Sequence, residues 1–308
     1  MARKKESAVS GVIVIDKHEG VTSFRIVSML RRLFDTSQVG HTGTLDPMAT
    51  GVLPVLIGRA VKASDYIMAQ DKCYTAELKL GIETDTEDVT GETLRQSDKI
   101  PDEDEVFKCI SSFVGEISQI PPMYSAIKVG GRKLVDIARE GGEAERRPRQ
   151  VTIHSIDAEK LSCDTYRLRV SCSKGTYIRT LCADIGKKLG CGAAMSALRR
   201  TETGGFTLSD AYTVEQLEAM TAEQRQALVL PTESLFSELD AVELPQFYAN
   251  LFLSGAPLYQ KKLRVSIPEG KLIRVKHKGE FIGLGRADTL SDASAVLKPE
   301  KLFRLEKV

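Results

Sequence analysis

One acidic residue, Asp46, stands in the stretch HTGTLDPMATGVL (residues 41–53) among small and apolar neighbours. A lone carboxylate presented on a loop can act as a nucleophile, because it can form and then leave a covalent adduct at neutral pH. Pro47 disfavours the α region for Asp46 and pushes it toward an extended conformation, while Gly43 and Gly51 let the backbone turn or approach a ligand closely. The same dipeptide is also what a helix start looks like, with Asp46 as N-cap and Pro47 at the first helical position. On local pattern alone the cap is the commoner reading of such a pair.

The elements around it have readable periods. Residues 11–15, GVIVI, predict a short buried strand, and residues 21–34 a helix opened by Thr22 or Ser23, with Ile26, Val27, Leu30, Leu33 and Phe34 on its apolar face. Residues 52–57 form an apolar run interrupted by Pro54. From 74 to 80, Tyr74, Ala76, Leu78 and Leu80 alternate with Thr75, Glu77 and Lys79, the pattern of a half-buried strand. The acidic segment ETDTEDVTGE lacks the ligand placement of a calcium loop and reads as a solvated connection. Val106, Cys109, Ile110 and Phe113 mark another amphipathic helix.

Beyond it, SQIPPMYSAIKVGGR (118–132), a short helix at 133–140 and the cations Arg146, Arg147 and Arg149 read as an excursion from the core that could clamp RNA. Strands are predicted at 151–156 and 166–172, and a helix at 177–189 with Ile178, Leu181, Cys182 and Ile185 inward. Arg179 falls in the first turn of that helix, where a cation opposes the helix dipole unless an anion compensates it. GCGAAMSALRRT mixes a glycine turn with a strand ending in Arg199 and Arg200. Residues 213–230 read as helical, ended by Pro231. From about 243 a short helix (246–253) and strands such as KLIRV and EFIGLG, joined at 277–279, make a small β-rich module.

Composition narrows the classes. The chain has 308 residues, 42% of them hydrophobic, enough for one large domain and a smaller one. Its net charge of +1 hides a segregation: residues 83–105 hold ten acids against Arg95 and Lys99, a balance of −8, while 241–308 hold twelve bases against seven acids, or +5. Such separation permits a basic surface for a polyanion, although single charge runs are more often solvated faces. The six cysteines form no CxxC pair and the four histidines are scattered, so neither a metal site nor a disulfide framework is expected. The basic start MARKKESAVS leads into too short an apolar run for a signal peptide, and no stretch reaches transmembrane length. A cytoplasmic location away from membranes is the expectation.

The loop motif and five further ordered segments then give the chain a family likeness. HTGTLDPMATGVL resembles the catalytic motif of the bacterial TruB-type tRNA pseudouridine-55 synthases, in which the aspartate is the essential carboxylate. IDKHEGVTS, DKCYTAELKLGIETDTEDVTGE, QIPPMYSAIKVGGRKLVDIAREG, VSCSKGTYIRTLCADIGKKLGCGA and ALRRTETGGF follow the family's order and approximate spacing, covering residues 11 to about 210. The resemblance implies an α/β (α+β) fold, with a mixed, mainly antiparallel central sheet and flanking helices. It places the catalytic domain at 1–240, with an RNA-gripping insertion near 120–150, and a PUA-like RNA-binding domain at 241–308.

The resemblance also implies an activity and its residues. The family isomerises the tRNA T-loop uridine at position 55 to pseudouridine, on a flipped-out nucleotide and without a cofactor; the absence of a P-loop or dinucleotide fingerprint agrees with that. Asp46 would be the nucleophile, at the ribose anomeric carbon or, alternatively, at the pyrimidine ring. Tyr74 matches the tyrosine that stacks on the target base and can remove its C5 proton; Arg179 matches the arginine that pairs with the aspartate. His41 matches a histidine that recognises the extruded nucleotide, Leu198 a pocket-lining leucine, and Lys17 the lysine of the first motif, either touching RNA or supporting the catalytic loop. The family usually has proline after that lysine, where this chain has His18. The expected partner is tRNA, held by its T arm and at its acceptor end by the C-terminal domain, with the enzyme a monomer and no metal. Two rivals remain: an RNA-binding scaffold without catalysis, and a hydrolase that would release free uracil and would need a second carboxylate.

Overall fold

The computed structural model describes residues 9–304; the basic segment 1–8 lies outside them. A mixed sheet runs through the larger part of the molecule in the order Ala211–Tyr212, Gly11–Lys17, Thr50–Ile57, Ala193–Thr203, Lys72–Leu80, Thr165–Cys172, Arg149–Lys160, Gly115–Gln119. Along this path the pairs are antiparallel except at Gly11–Lys17 with Ala211–Tyr212 and at Thr50–Ile57 with Ala193–Thr203. The mixed, mainly antiparallel sheet expected from the sequence is therefore present. The second parallel pairing is brief, Arg199 opposite Thr50 and Arg200 opposite Gly51, so two half-sheets meet at a narrow seam.

Residues 11–15 of strand Gly11–Lys17 are apolar because both faces of this stretch are covered. Ile13 and Ile15 join the main core with Leu53, Val55 and Ile57, while Val12 and Val14 join a second core with Val52 and Leu56. Helices Ser23–Leu33, Glu103–Ser111 and Ile178–Leu189 place Ile26, Leu30, Val106, Ile110, Leu181 and Ile185 in the main core. Pro54 is tolerated in this sheet by its place. Its carbonyl accepts from Thr42 N at 3.2 Å, in the gap between the pairing of Val39–His41 and that of Ala193–Thr203, so the missing N–H also faces the gap.

The C-terminal module has its own five-stranded sheet, in the order Ala241–Glu243, Leu272–His277, Glu280–Thr289, Ala295–Leu302, Leu258–Tyr259. Its core gathers Leu244, Phe252, Val275, Ile282 and Leu297. Phe281 and Phe303 reach across to Phe236, and Phe236 meets Tyr66 edge-on at 5.4 Å, which joins the module to the second core.

Three local expectations change. The helix expected over 213–230 is two short ones, Val214–Glu218 and Ala222–Ala227, because Thr213 with Gln216 and Thr221 with Gln224 each form a capping box. Asp46 caps no helix: Ala49 N donates to Asp46 O at 3.1 Å, closing a β-turn with Pro47 in its second position. The acidic connection is only partly solvated, since Thr84 and Asp88 are buried.

One close approach has a measurable consequence. Gly186, inside helix Ile178–Leu189, accepts a hydrogen bond from Gly192 N at 3.0 Å, and a Cβ there would lie 2.1 Å from Ala193 N. Backbone cannot yield as a flexible side chain would, so Gly186→Ala is expected to cost ~3 kcal/mol of stability. A thermal melt of the variant checks this; an unchanged Tm would contradict it.

Candidate active site

The catalytic-motif loop leaves the sheet beside the seam, and side chains from three elements hold it. Ser23, at the start of its helix, accepts from Leu45 N at 2.9 Å and donates to Leu45 O at 3.1 Å. Lys17, at the end of its strand, donates to His18 O, Val21 O and Pro47 O at 3.0, 2.7 and 3.2 Å. Arg200 donates to Val52 O at 2.7 Å and to Gly43 O at 3.3 Å. Leu45 and Ala49, either side of the turn, are buried in the core. These anchors fix the backbone on both sides of Asp46.

Arg179 meets Asp46 through Nε, 3.0 Å from Oδ2. The arginine side chain is 6% exposed and the aspartate 33%, so the carboxylate faces the open side of a pair whose cation is sunk in the protein. The rest of the guanidinium is fixed as well: Nη1 donates to Thr86 O at 3.1 Å, Nη2 donates to Tyr124 O at 2.8 Å, and Asp88 Oδ2 lies 3.6 Å from Nη1. The anions that a first-turn arginine calls for are thus Asp46 and Asp88. Gln119 sets the approach of the helix by accepting from Tyr177 N at 3.0 Å and donating to Tyr177 O at 3.1 Å.

The electrostatics oppose one another at Asp46. Burial pushes its carboxyl above the usual aspartate range; Arg179 pulls it back, Asp88 pushes up again and Lys17 pulls down. Burial lowers the Lys17 ammonium to about 8 against the pull of Asp46. Burial also lowers His41, and the nearby Arg200 cation adds to this, which favours a neutral imidazole. Burial raises the Tyr74 phenol, while Arg200 opposes by charge and by hydrogen bonding.

The residues singled out in the sequence largely converge. Tyr74 lies on Lys72–Leu80 directly opposite Arg200, within the electrostatic reach of Asp46. Leu198, two residues earlier on Arg200's strand, shares the core with Tyr74, Leu45 and Ala49. His41 ends the short strand that leads into the loop and accepts from Gly43 N at 3.4 Å. Lys17 requires correction as an RNA contact. It is fully buried, and the three carbonyls occupy all three ammonium protons, so its physical task here is to tie the Pro47 turn to the first strand. The turn left without proline at position 18 is further held by Gly20 N, which donates to Pro47 O at 2.8 Å.

Two residues escaped the sequence reading. Asp88 is one buried acid among many solvated ones. Its Oδ1 accepts from Thr86 Oγ1 at 2.9 Å and Thr90 N at 3.0 Å, and its neighbours pair with Met195 at a break in the strand register. Arg200 had a visible signal, a charged residue at the core-facing position of a strand two after Leu198. Among the described residues no group of three or more His, Cys, Asp or Glu is placed to hold a metal ion.

Comparison with known proteins agrees with this layout. Residues 31–178 match the family model described as TruB family pseudouridylate synthase (N terminal domain), and 179–237 match the tRNA pseudouridylate synthase B C-terminal domain. The tRNA pseudouridine synthase B of Clostridium tetani is 44% identical over 280 residues, covering 90% of this chain and 96% of that one. That of Aromatoleum aromaticum is 41% identical over 300 residues, covering 97% and 94%. Among solved structures, a chain of a Cbf5-Nop10-Gar1 complex superposes with a TM-score of 0.71 at 27% identity, covering 96% of this chain and 85% of its own. A chain of an H/ACA RNP bound to a substrate RNA containing 2'-deoxyuridine gives 0.69 at 25%, covering 96% and 85%.

Fold, site and relatives together define a pseudouridine synthase, an isomerase that turns uridine into pseudouridine. Within that class, the chain belongs to the TruB family. The boundary between the two family models falls just before Arg179, yet the sheet is continuous across it, since Ala193–Thr203 pairs with Lys72–Leu80.

Proposed function

We propose that this enzyme acts on tRNA, isomerising the T-loop uridine at position 55 with Asp46 as the nucleophile on a nucleotide flipped out of the loop. The observation that carries the reading is the Asp46–Arg179 pair: a carboxylate on an anchored turn, open on one side and held at 3.0 Å by a buried guanidinium. In this account the carboxylate attacks the ribose anomeric carbon and the N-glycosidic bond breaks with its electrons on uracil. The base then turns and C5 bonds to the same carbon as the carboxylate leaves. Loss of the C5 proton and gain of one at N1 complete an isomerisation that consumes no cofactor.

The side chains divide the work. Arg179 keeps the nucleophile charged and oriented against the burial that would neutralise it. Tyr74 stacks on the uracil and takes the C5 proton, neutral His41 contacts the extruded nucleotide, and Leu198 lines the pocket. The insertion near 120–150 adds an RNA grip. It carries a cleft of about 350 Å³ that Arg146, Arg147, Arg149 and Lys128 share with Ile127 and Leu134. The module from 241, with its excess of bases, acts as a PUA-like domain at the acceptor end. We assign the enzyme to the cytoplasm as a monomer; among the described residues no helix is long and apolar enough to cross a membrane.

The test is a T-arm stem-loop transcript incubated with the enzyme and mapped nucleotide by nucleotide. Conversion of the T-loop uridine at position 55 and of no other uridine, with no change in RNA mass, is expected. Free uracil in solution, or conversion elsewhere with the T loop untouched, would overturn the reading.

A further inference from the structure

Arg200 is a buried cation that anchors the Asp46 loop through Val52 O and Gly43 O. Its side chain is 1% exposed, and among the described residues no carboxylate pairs with it. Groups that feel its charge include the cations Lys17 and Lys72, with His41 and Tyr74 beside them. Burying a charge without a counter-ion is costly, and replacing it with an apolar side chain would remove that cost. Such a group calls for an anion that is absent at rest and forms during the reaction.

The geometry shows where that anion forms. Arg200 stands opposite Tyr74 across two paired strands, and the register breaks between Arg200 and Glu202, a bulge of the kind that re-aims a side chain. The Val52 and Gly43 carbonyls hold the guanidinium by Nε and Nη2. These two bonds fix the fork beside Gly43, where an added Cβ would sit 3.4 Å from Nη1. The fixed fork therefore stands across the strand pair from Tyr74, close enough for its charge to act on the phenol.

The geometry points to Arg200 as a positioning residue for loss of the C5 proton: it holds the Tyr74 oxygen in place and carries the negative charge that oxygen bears as the base. Once C5 has bonded to the ribose, the ring has a C5–H bond and an N1=C6 double bond. Tyr74 gives up its phenol proton to solvent as the phenolate forms. The C5 proton then passes to the phenolate oxygen, the C5–H pair becomes the C5=C6 bond, and the N1=C6 pair moves onto N1, which takes a proton from solvent, so one proton leaves and one returns. Burial alone would leave Tyr74 a poor source of phenolate, and Arg200 opposes that burial. The same side chain ties both ends of the Asp46 loop to the strand that faces Tyr74, so nucleophile and base share one support.

This inference rests on the isomerisation proposed above with Tyr74 as the base. Its test uses a T-arm stem-loop with hydrogen or deuterium at C5 of the T-loop uridine, converted in single turnover by wild type, Arg200→Lys, Arg200→Met, Tyr74→Phe and the Arg200→Met/Tyr74→Phe double variant. Arg200→Met is expected to keep RNA affinity and slow conversion about 100-fold, with an isotope effect above that of wild type. Arg200→Lys should recover part of the rate, and the double variant should be little slower than Tyr74→Phe alone. Slowing with an unchanged isotope effect and additive losses would reduce Arg200 to a loop anchor and overturn the inference, as would wild-type rates in both Arg200 variants. If Arg200→Met fails to fold by circular dichroism, Arg200→Lys alone and with Tyr74→Phe gives the same readout. If wild type itself makes no pseudouridine, the underlying reading fails, and this inference with it.

Discussion

Asp46→Asn is expected to bind a T-arm stem-loop with wild-type affinity and to form no measurable pseudouridine, a loss on the order of 10⁴-fold or more in single-turnover rate. Asparagine has nearly the same shape, and the turn is closed by backbone, Ala49 N to Asp46 O, so the loop should stay in place. Arg179 would keep Asp88 nearby and its bonds to Thr86 O and Tyr124 O, which limits the cost of a cation losing one partner. What disappears is a charged oxygen able to bond carbon and leave again. Binding by fluorescence titration together with product analysis separates the two effects. Weakened binding with residual product in proportion would instead mark Asp46 as an RNA contact.

Arg179→Met has the second largest expected effect, and it shows in the pH profile. Without the guanidinium, Asp46 and the buried Asp88 lose the cation between them and the main force lowering the Asp46 pKa is gone, while burial and Asp88 still raise it. The nucleophile acts only when ionised, so activity is lost as pH falls through this pKa. The acidic limb of the rate profile should therefore move to higher pH. Rates at neutral pH should fall steeply and recover in part as pH rises. Stability should also drop by about 3 kcal/mol, because removing one member of a buried ionic cluster leaves the others uncompensated. A profile with lower rates but an unmoved acidic limb would mean that Arg179 serves geometry alone.

Much of the scaffold could be read from periodicity. GVIVI, the alternation from Tyr74 to Leu80 and the apolar stripe of Ile178–Leu189 each announce the element found, because covered faces demand apolar side chains at fixed intervals. The helix predicted over 213–230 failed for a local reason: Thr221 with Gln224 supplies a second helix start that an apolar count does not register. Asp46 was ambiguous because an aspartate before proline begins a β-turn as readily as a helix, and only the strand pairing at its two ends decides between them.

The site was legible in part. Asp46 and Arg179 lie in separate segments, and the family resemblance, more than any local pattern, linked them ahead of the fold. The dipole conflict of Arg179 did point to an anion without naming it. Asp88 was hidden because charge counting treats every acid in a run alike, whereas burial here depends on a bridge to Met195 across the sheet. Lys17 was left between an RNA contact and support of the catalytic loop, and its burial with three carbonyl acceptors favours the support.

The central claim is that the Asp46 carboxylate bonds to the substrate. The most direct measurement is to mix enzyme with a T-arm stem-loop at stoichiometric concentrations, quench within one turnover and map covalent adducts by peptide mass spectrometry. The account predicts a nucleotide ester on the peptide containing Asp46, formed and lost within the turnover and absent from Asp46→Asn. An adduct on another side chain, or full conversion by Asp46→Asn, would contradict it.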